Sequence, residues 1–252
     1  MPGRKRAAGV GYEAIADALR ERIESGELPP GAKVPSEADV MTEFGAGRDT
    51  VTKALRRLRD EGLTTATQGA ATRVREFKPI RRPANRRLSQ EVWGAGVSMW
   101  AIDVQDKTPT VADAKVERIE ATVRVAEALG IRRGEAVVRR SRRYLVDGKP
   151  VLKSDSYLPA EIADGTAIAE IETGDGGIYA RLGELGFGPA RFKEELRIRM
   201  PNRQEKAWLQ LGPGTPVVII VRVAVTAEGR VVEVNEMVLD ASAYILDYVI
   251  DA

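Results

Sequence analysis

The stretch Gly45–Gly62, GAGRDTVTKALRRLRDEG, limits what this chain can fold into more than any other segment. Val51, Ala54, Leu55 and Leu58 fall at the i, i+3, i+4, i+7 positions that line one face of a helix, so that face needs a packing partner. The other side carries Lys53, Arg56, Arg57 and Arg59, with Arg48 just before the first turn. A charge run is ordinarily a solvated face. Contact with a polyanion is the alternative, and the flanking elements bear on which applies.

Upstream, residues 12–25 read as an amphipathic helix with Tyr12, Ile15, Ala16, Leu19 and Ile23 on one side and Gly26 closing it. The turn-rich LPPGAKVP follows. Ser36 and Asp39 make an N-terminal capping pattern that predicts a short helix to Phe44, and Gly47 then caps the basic helix. Downstream, LTTAT and ATRVRE are two β-prone runs around the turn QGA. The order helix, helix, turn, helix, β-hairpin over residues 12–75 is a winged helix-turn-helix. In that arrangement the third helix enters the major groove of DNA and the hairpin lies against the backbone. The basic face thereby acquires a geometric reason, and double-stranded DNA becomes the expected partner.

The chain has 252 residues, room for two domains, and contains neither cysteine nor histidine. Disulfides, thiolate nucleophiles, imidazole bases and Cys/His metal sites are thereby removed; carboxylate-only chemistry or a Lys or Tyr base stays open, but catalysis is disfavoured, and no catalytic residues, metal or cofactor are expected. Residues 1–87 hold 18 Lys or Arg against 12 Asp or Glu, whereas the remainder holds 21 against 25. A basic first third on an acidic remainder assigns anion contact to one part and a different task to the other. No apolar run reaches the roughly 18 residues of a membrane span, and the basic tail 1–11 lacks a signal-peptide core, which points to the cytoplasm.

Residues 76–90, EFKPIRRPANRRLSQ, combine proline with five cations and read as a linker. From 91 to 252 the pattern becomes α+β around an antiparallel sheet. One predicted hairpin turns at Asp147-Gly148 and another at Glu228-Gly229, with short helices at IYARLGELGFG and NRQEKAWLQLG. The period of two along strands puts Arg140, Arg142 and Tyr144 on one face, and likewise Ser154 and Ser156. Trp93 and Trp100, in WGAGVSMWAIDV, belong either to the core or to a pocket wall.

The segment LPPGAKVPSEADVMTEFGAGRDTVTKALRRLRDEGL resembles the DNA-binding domain of the GntR family of bacterial transcription regulators. The resemblance implies that Ser36, Arg48, Thr50, Thr52, Lys53, Gln68 and Gly69 approach the operator. Arg48 is the best base reader, since a guanidinium matches guanine O6 and N7. Ala38 and Thr52 stand where the family often has arginine, and Thr67 and Ala70 where its wing is commonly basic or glycine, which implies an altered operator or weaker contact per half-site.

The segments ALGIRRGEAVVRRSRRYLVDGKPVLKSDSYLP and LGPGTPVVIIVRVAVTAEGRVVEVNEMVLD resemble the UTRA effector domain of the HutC subgroup, whose fold is similar to chorismate lyase. Carried over by position, the resemblance implies an effector site of Arg142, Tyr144, Ser154, Ser156, Tyr157 and Glu233. Tyr144 replaces a second arginine common in sugar-phosphate sensors and Ser154 a common glutamate, departures that point toward a less charged or aromatic effector. The expected protein is a ligand-responsive repressor that binds a palindromic operator as a homodimer through its second domain, the apolar strand PVVIIVRVAV offering the dimer surface. An architectural DNA-binding dimer and a lyase-like enzyme are the alternatives.

Overall fold

The structure, a computed structural model, describes residues 10–65, 71–76, 79–97, 100, 103–104 and 109–250. The chain divides into two compact units, the first ending at residue 78 and the second beginning at residue 79, with residues 212–215 grouped with the first.

The first unit is built on three helices, α1 (Tyr12–Glu24), α2 (Glu37–Phe44) and α3 (Arg48–Asp60), followed by strands β1 (Thr64–Thr65) and β2 (Arg73–Val74). Ile15, Ala16 and Leu19 of α1, Val40 of α2, and Val51, Ala54 and Leu58 of α3 form one buried cluster. Tyr12, at the first position of α1, does not join it and stays 37% exposed. Ser36 caps α2 in a reciprocal capping box with Asp39, and Gly47 is the N-cap of α3. The antiparallel pair β1–β2 is the base of the wing; its turn, with Gln68 and Gly69, lies outside the described residues, as does the tail before residue 10.

In the second unit, β3 (Ile80–Pro83) is followed by one-turn helices at Ala84–Arg87 and Gln90–Trp93. Then come β4 (Pro109–Glu120), α4 (Val123–Leu129), the hairpin β5 (Ala136–Val146) and β6 (Lys149–Pro159), and α5 (Gly177–Glu184). The unit closes with β7 (Arg191–Arg199), α6 (Arg203–Trp208), the hairpin β8 (Val217–Val225) and β9 (Val231–Asp240), and β10 (Tyr244–Asp247). Six strands form one antiparallel sheet in the order β4-β5-β6-β9-β8-β7. At the β5–β6 turn, Asp147 and Gly148 both take positive φ, 50° and 77°, which matches the right-handed twist of the strands.

The segment read as a linker is folded from Ile80 onward. β3 pairs in parallel with β10, and Ile80 packs among Val218, Ile220 and Leu239. Charge does not keep it at the surface, because two of its cations find buried partners while Arg81 and Arg86 stay exposed: Arg82 bonds Glu194, and Arg87 lies 3.2 Å from Asp103. The apolar strand β8 lies inside the sheet with both edges paired, so it offers a partner only its outer face, where Ile219, Val221 and Val223 are half-buried.

Candidate functional site

Two surfaces carry the chemistry, one in each unit. On α3 of the first, Arg48, Thr52, Lys53 and Arg56 are exposed along one stripe, opposite the buried Val51, Ala54 and Leu58. Thr50 is half-buried. The Arg48 side chain is 78% exposed, with Nε 3.4 Å from Glu37, and the Thr52 hydroxyl donates to the same carboxylate at 3.3 Å. Arg57 is drawn aside by Glu61 at 2.6 Å, which also holds Arg20. Ser36 is occupied with its cap: Oγ donates to Asp39 at 2.7 Å and accepts from the Asp39 N–H. The α3 N-terminus, with its partial positive charge, adds to the attraction for phosphate.

In the second unit a cavity of about 380 Å³ opens on one face of the sheet. Strand register builds its floor. Arg140, Ser156, Asn235, Arg222 and Glu194 stand side by side on β5, β6, β9, β8 and β7. The neighbouring row runs Arg142, Ser154, Met237 and Ile220. Ser154 Oγ donates to Asn235 at 2.9 Å, and Ser156 Oγ donates to Glu233 at 2.7 Å. Glu233 is fully buried and also accepts from Tyr179 of α5.

One rim runs from Glu172 through the loop to Ile178 in the first turn of α5. Arg140 and Arg142 hold the segment leading into it through backbone carbonyls: Arg140 donates to Ile168, Glu170 and Ile171, and Arg142 to Ile171. Burial lowers the Arg140 guanidinium to about 10, still cationic at neutral pH. Gly176, at φ 75°, is obligatory here, since a Cβ would stand 2.4 Å from the Trp93 carbonyl oxygen. The opposite wall is aromatic, with Trp100 and Tyr144 ring centroids 4.8 Å apart.

Of the six effector-site residues expected, Arg142, Tyr144, Ser154, Ser156 and Glu233 line this one cavity. Tyr157 is on the other face, paired with Arg139 and Val234 and packed in the cluster around α4; burial raises its hydroxyl to about 12. The register decides this. Pairing slips by one residue at Tyr144/Leu145, a bulge that turns Ser154 and Ser156 toward Arg142 and sends Tyr157 away. The two tryptophans part: Trp93 packs in the core beside Tyr179, while Trp100 belongs to the other core cluster and also lines the cavity. Sequence reasoning did not single out Arg222 or Asn235. The signal was available, since counting back from a turn at Glu228-Gly229 sets Arg222 opposite Asn235.

A basic helix on a winged helix-turn-helix, joined in one chain to a sheet domain around a cavity, defines a transcription regulator with an effector-binding domain. The gntR family of bacterial regulatory proteins matches residues 11–74, and the UTRA domain matches residues 104–245. The chain therefore belongs to the GntR family, and its pairing with a UTRA domain is that of the HutC subgroup. The HTH-type transcriptional regulator SCO4628 of Streptomyces coelicolor is 31% identical over 88% of this chain and 86% of its own length. The HTH-type transcriptional repressor NagR of Bacillus subtilis is 26% identical over 95% and 94%. The crystal structure of a GntR-family transcriptional regulator superimposes with a TM-score of 0.65 at 27% identity, covering 96% of this chain and 97% of that one. These relatives are regulators, not enzymes. Among the described residues no helix is long and apolar enough to cross a membrane.

Proposed function

We propose that this regulator is a cytoplasmic repressor that binds a palindromic operator as a homodimer and leaves it when a small molecule enters the second unit. The observation that carries the reading is the cavity. Its volume of about 380 Å³ falls in the range of metabolite sites, and it is lined by buried polar side chains and an aromatic wall. Arg142, Tyr144, Ser154, Ser156 and Glu233 are its effector-facing residues. Arg48, Thr50, Thr52, Lys53, Gln68 and Gly69 are the proposed operator contacts, with Ser36 at the cap of α2 beside Asp39. A single winged helix spans few base pairs, so useful specificity calls for two half-sites related by a protein twofold. Release requires the effector to favour the DNA-incompetent state, a coupling of typically ~1–3 kcal/mol that acts in both directions.

The test is selection of DNA from a random pool by the full chain, followed by mobility-shift titration of the selected sequence with a metabolite library. The expected result is a twofold-symmetric site, bound by a dimer and released by at least one metabolite. Arg142→Ala and Glu233→Ala should bind the site nearly as tightly and fail to release it. Asymmetric selected DNA, or release that persists in both variants at the wild-type metabolite concentration, overturns the reading.

A further inference from the structure

Buried cations are normally matched by a carboxylate within the fold. Arg82 and Arg87 obey this, with Glu194 and Asp103 as partners. Arg222 does not. It is 2% exposed, lines the cavity, and donates no hydrogen bond to any described residue; Nε and Nη1 are both buried without a partner. The nearest carboxylate oxygen, Glu194 Oε1, lies 3.9 Å from Nη1, and both Glu194 oxygens already accept from Arg82.

The other buried carboxylate of the cavity is also engaged, because Glu233 accepts from Ser156, Asn235 and Tyr179. Of the other arginines lining the cavity, Arg87 faces Asp103, and Arg140 and Arg142 donate to the carbonyls of Ile168, Glu170 and Ile171. Arg222 is held in place by aromatic rings, its Cζ 5.5 Å from the centroid of Tyr179 and 6.0 Å from that of Phe192. A buried guanidinium at the cavity wall whose donors bond no described residue is suited to an oxyanion, which accepts N–H bonds from such a group.

We propose that the molecule this cavity takes is a small organic acid, whose oxyanion group seats on Arg222 while its body lies against Trp100 and Tyr144. The inference rests on the effector-binding reading of the cavity and adds the ligand's charge and anchor. It also revises the expectation of a less charged effector: the cation missing at position 144 is supplied from β8, where strand pairing brings it to the same floor.

The probes are benzoate, phenyl phosphate and neutral benzamide, titrated into the full chain while melting temperature and tryptophan fluorescence are followed. At least one acid should raise the melting temperature and perturb the fluorescence, and benzamide should do neither. Benzoate alone would identify a carboxylate site, and phenyl phosphate alone a phosphate site. Arg222→Met should weaken the response about tenfold or more, as should Arg222→Lys, which keeps the charge and loses the fork. The exposed Arg133→Met should leave it unchanged. The lysine variant keeps the question open to measurement should the methionine variant fold poorly by circular dichroism. Equal binding of benzamide and benzoate, an undiminished response in both Arg222 variants, or no response to either acid overturns the inference. The effector reading is judged separately, since release of operator DNA by a neutral metabolite would uphold it while the organic-acid assignment fell.

Discussion

Arg82 shows how burial and charge are reconciled at a single residue. Its side chain is 2% exposed and donates to both oxygens of Glu194, itself buried. Burial pushes the Glu194 carboxyl up, and the charges and hydrogen bonds of Arg82, with Arg222 behind them, outweigh that and leave it below the usual carboxylate range. Because the folded value is depressed, the pair's contribution is present at neutral pH and is lost as pH falls through that value. Arg82→Met should destabilise the second unit by roughly 3–5 kcal/mol, because it strips a buried carboxylate of its main partner. Adding Glu194→Gln should recover part of the loss. Urea unfolding of the three proteins checks this; equal stability of wild type and Arg82→Met would show that Arg222 alone balances Glu194.

At the scale of the element, α3 divides its labour by face. Val51, Ala54 and Leu58 fix the helix in its three-helix core, leaving Arg48, Thr52, Lys53 and Arg56 exposed. Operator affinity should fall steeply with salt, with a log–log slope of about −0.9 per phosphate neutralised. Arg48→Ala should lose on the order of 1–3 kcal/mol of discrimination at one base position, the loss expected of a guanine contact taken in place of its exposed one with Glu37. Binding assays on operator and random DNA decide the point. An equal loss on both would confine Arg48 to phosphate contact.

For the whole molecule, the consequence of two units is that affinity and response are separable. The first unit has its own buried cluster and capped helices, so residues 1–78 should fold alone. That fragment should be monomeric in sedimentation and bind the selected operator far more weakly than the full chain, since one half-site supplies only part of the contacts. Binding as tight as that of the full chain would remove dimerisation through the second unit as the source of affinity. The sheet limits where the proposed dimer could form by strand pairing: β8 is paired on both edges, and among the described residues β4 and β7 end the sheet.

Local chemistry was legible in the sequence wherever a feature depends on near neighbours. The 3.6-residue period marked the buried face of α3, Ser36 and Asp39 marked the start of α2, and Asp147-Gly148 marked the β5–β6 turn. Five residues of the cavity followed from alternation within strands and family resemblance. Tertiary structure decided the rest. A one-residue bulge at Tyr144/Leu145, invisible in composition, set Ser154 and Ser156 inside and Tyr157 outside. Residues 80–87 looked like linker because proline and arginine disfavour burial, yet Glu194 and Asp103, more than a hundred and some fifteen positions away, supply the charges that permit it. Arg222 became a site residue only when β8 was laid beside β9, since whether a buried cation lacks a partner depends on everything packed around it.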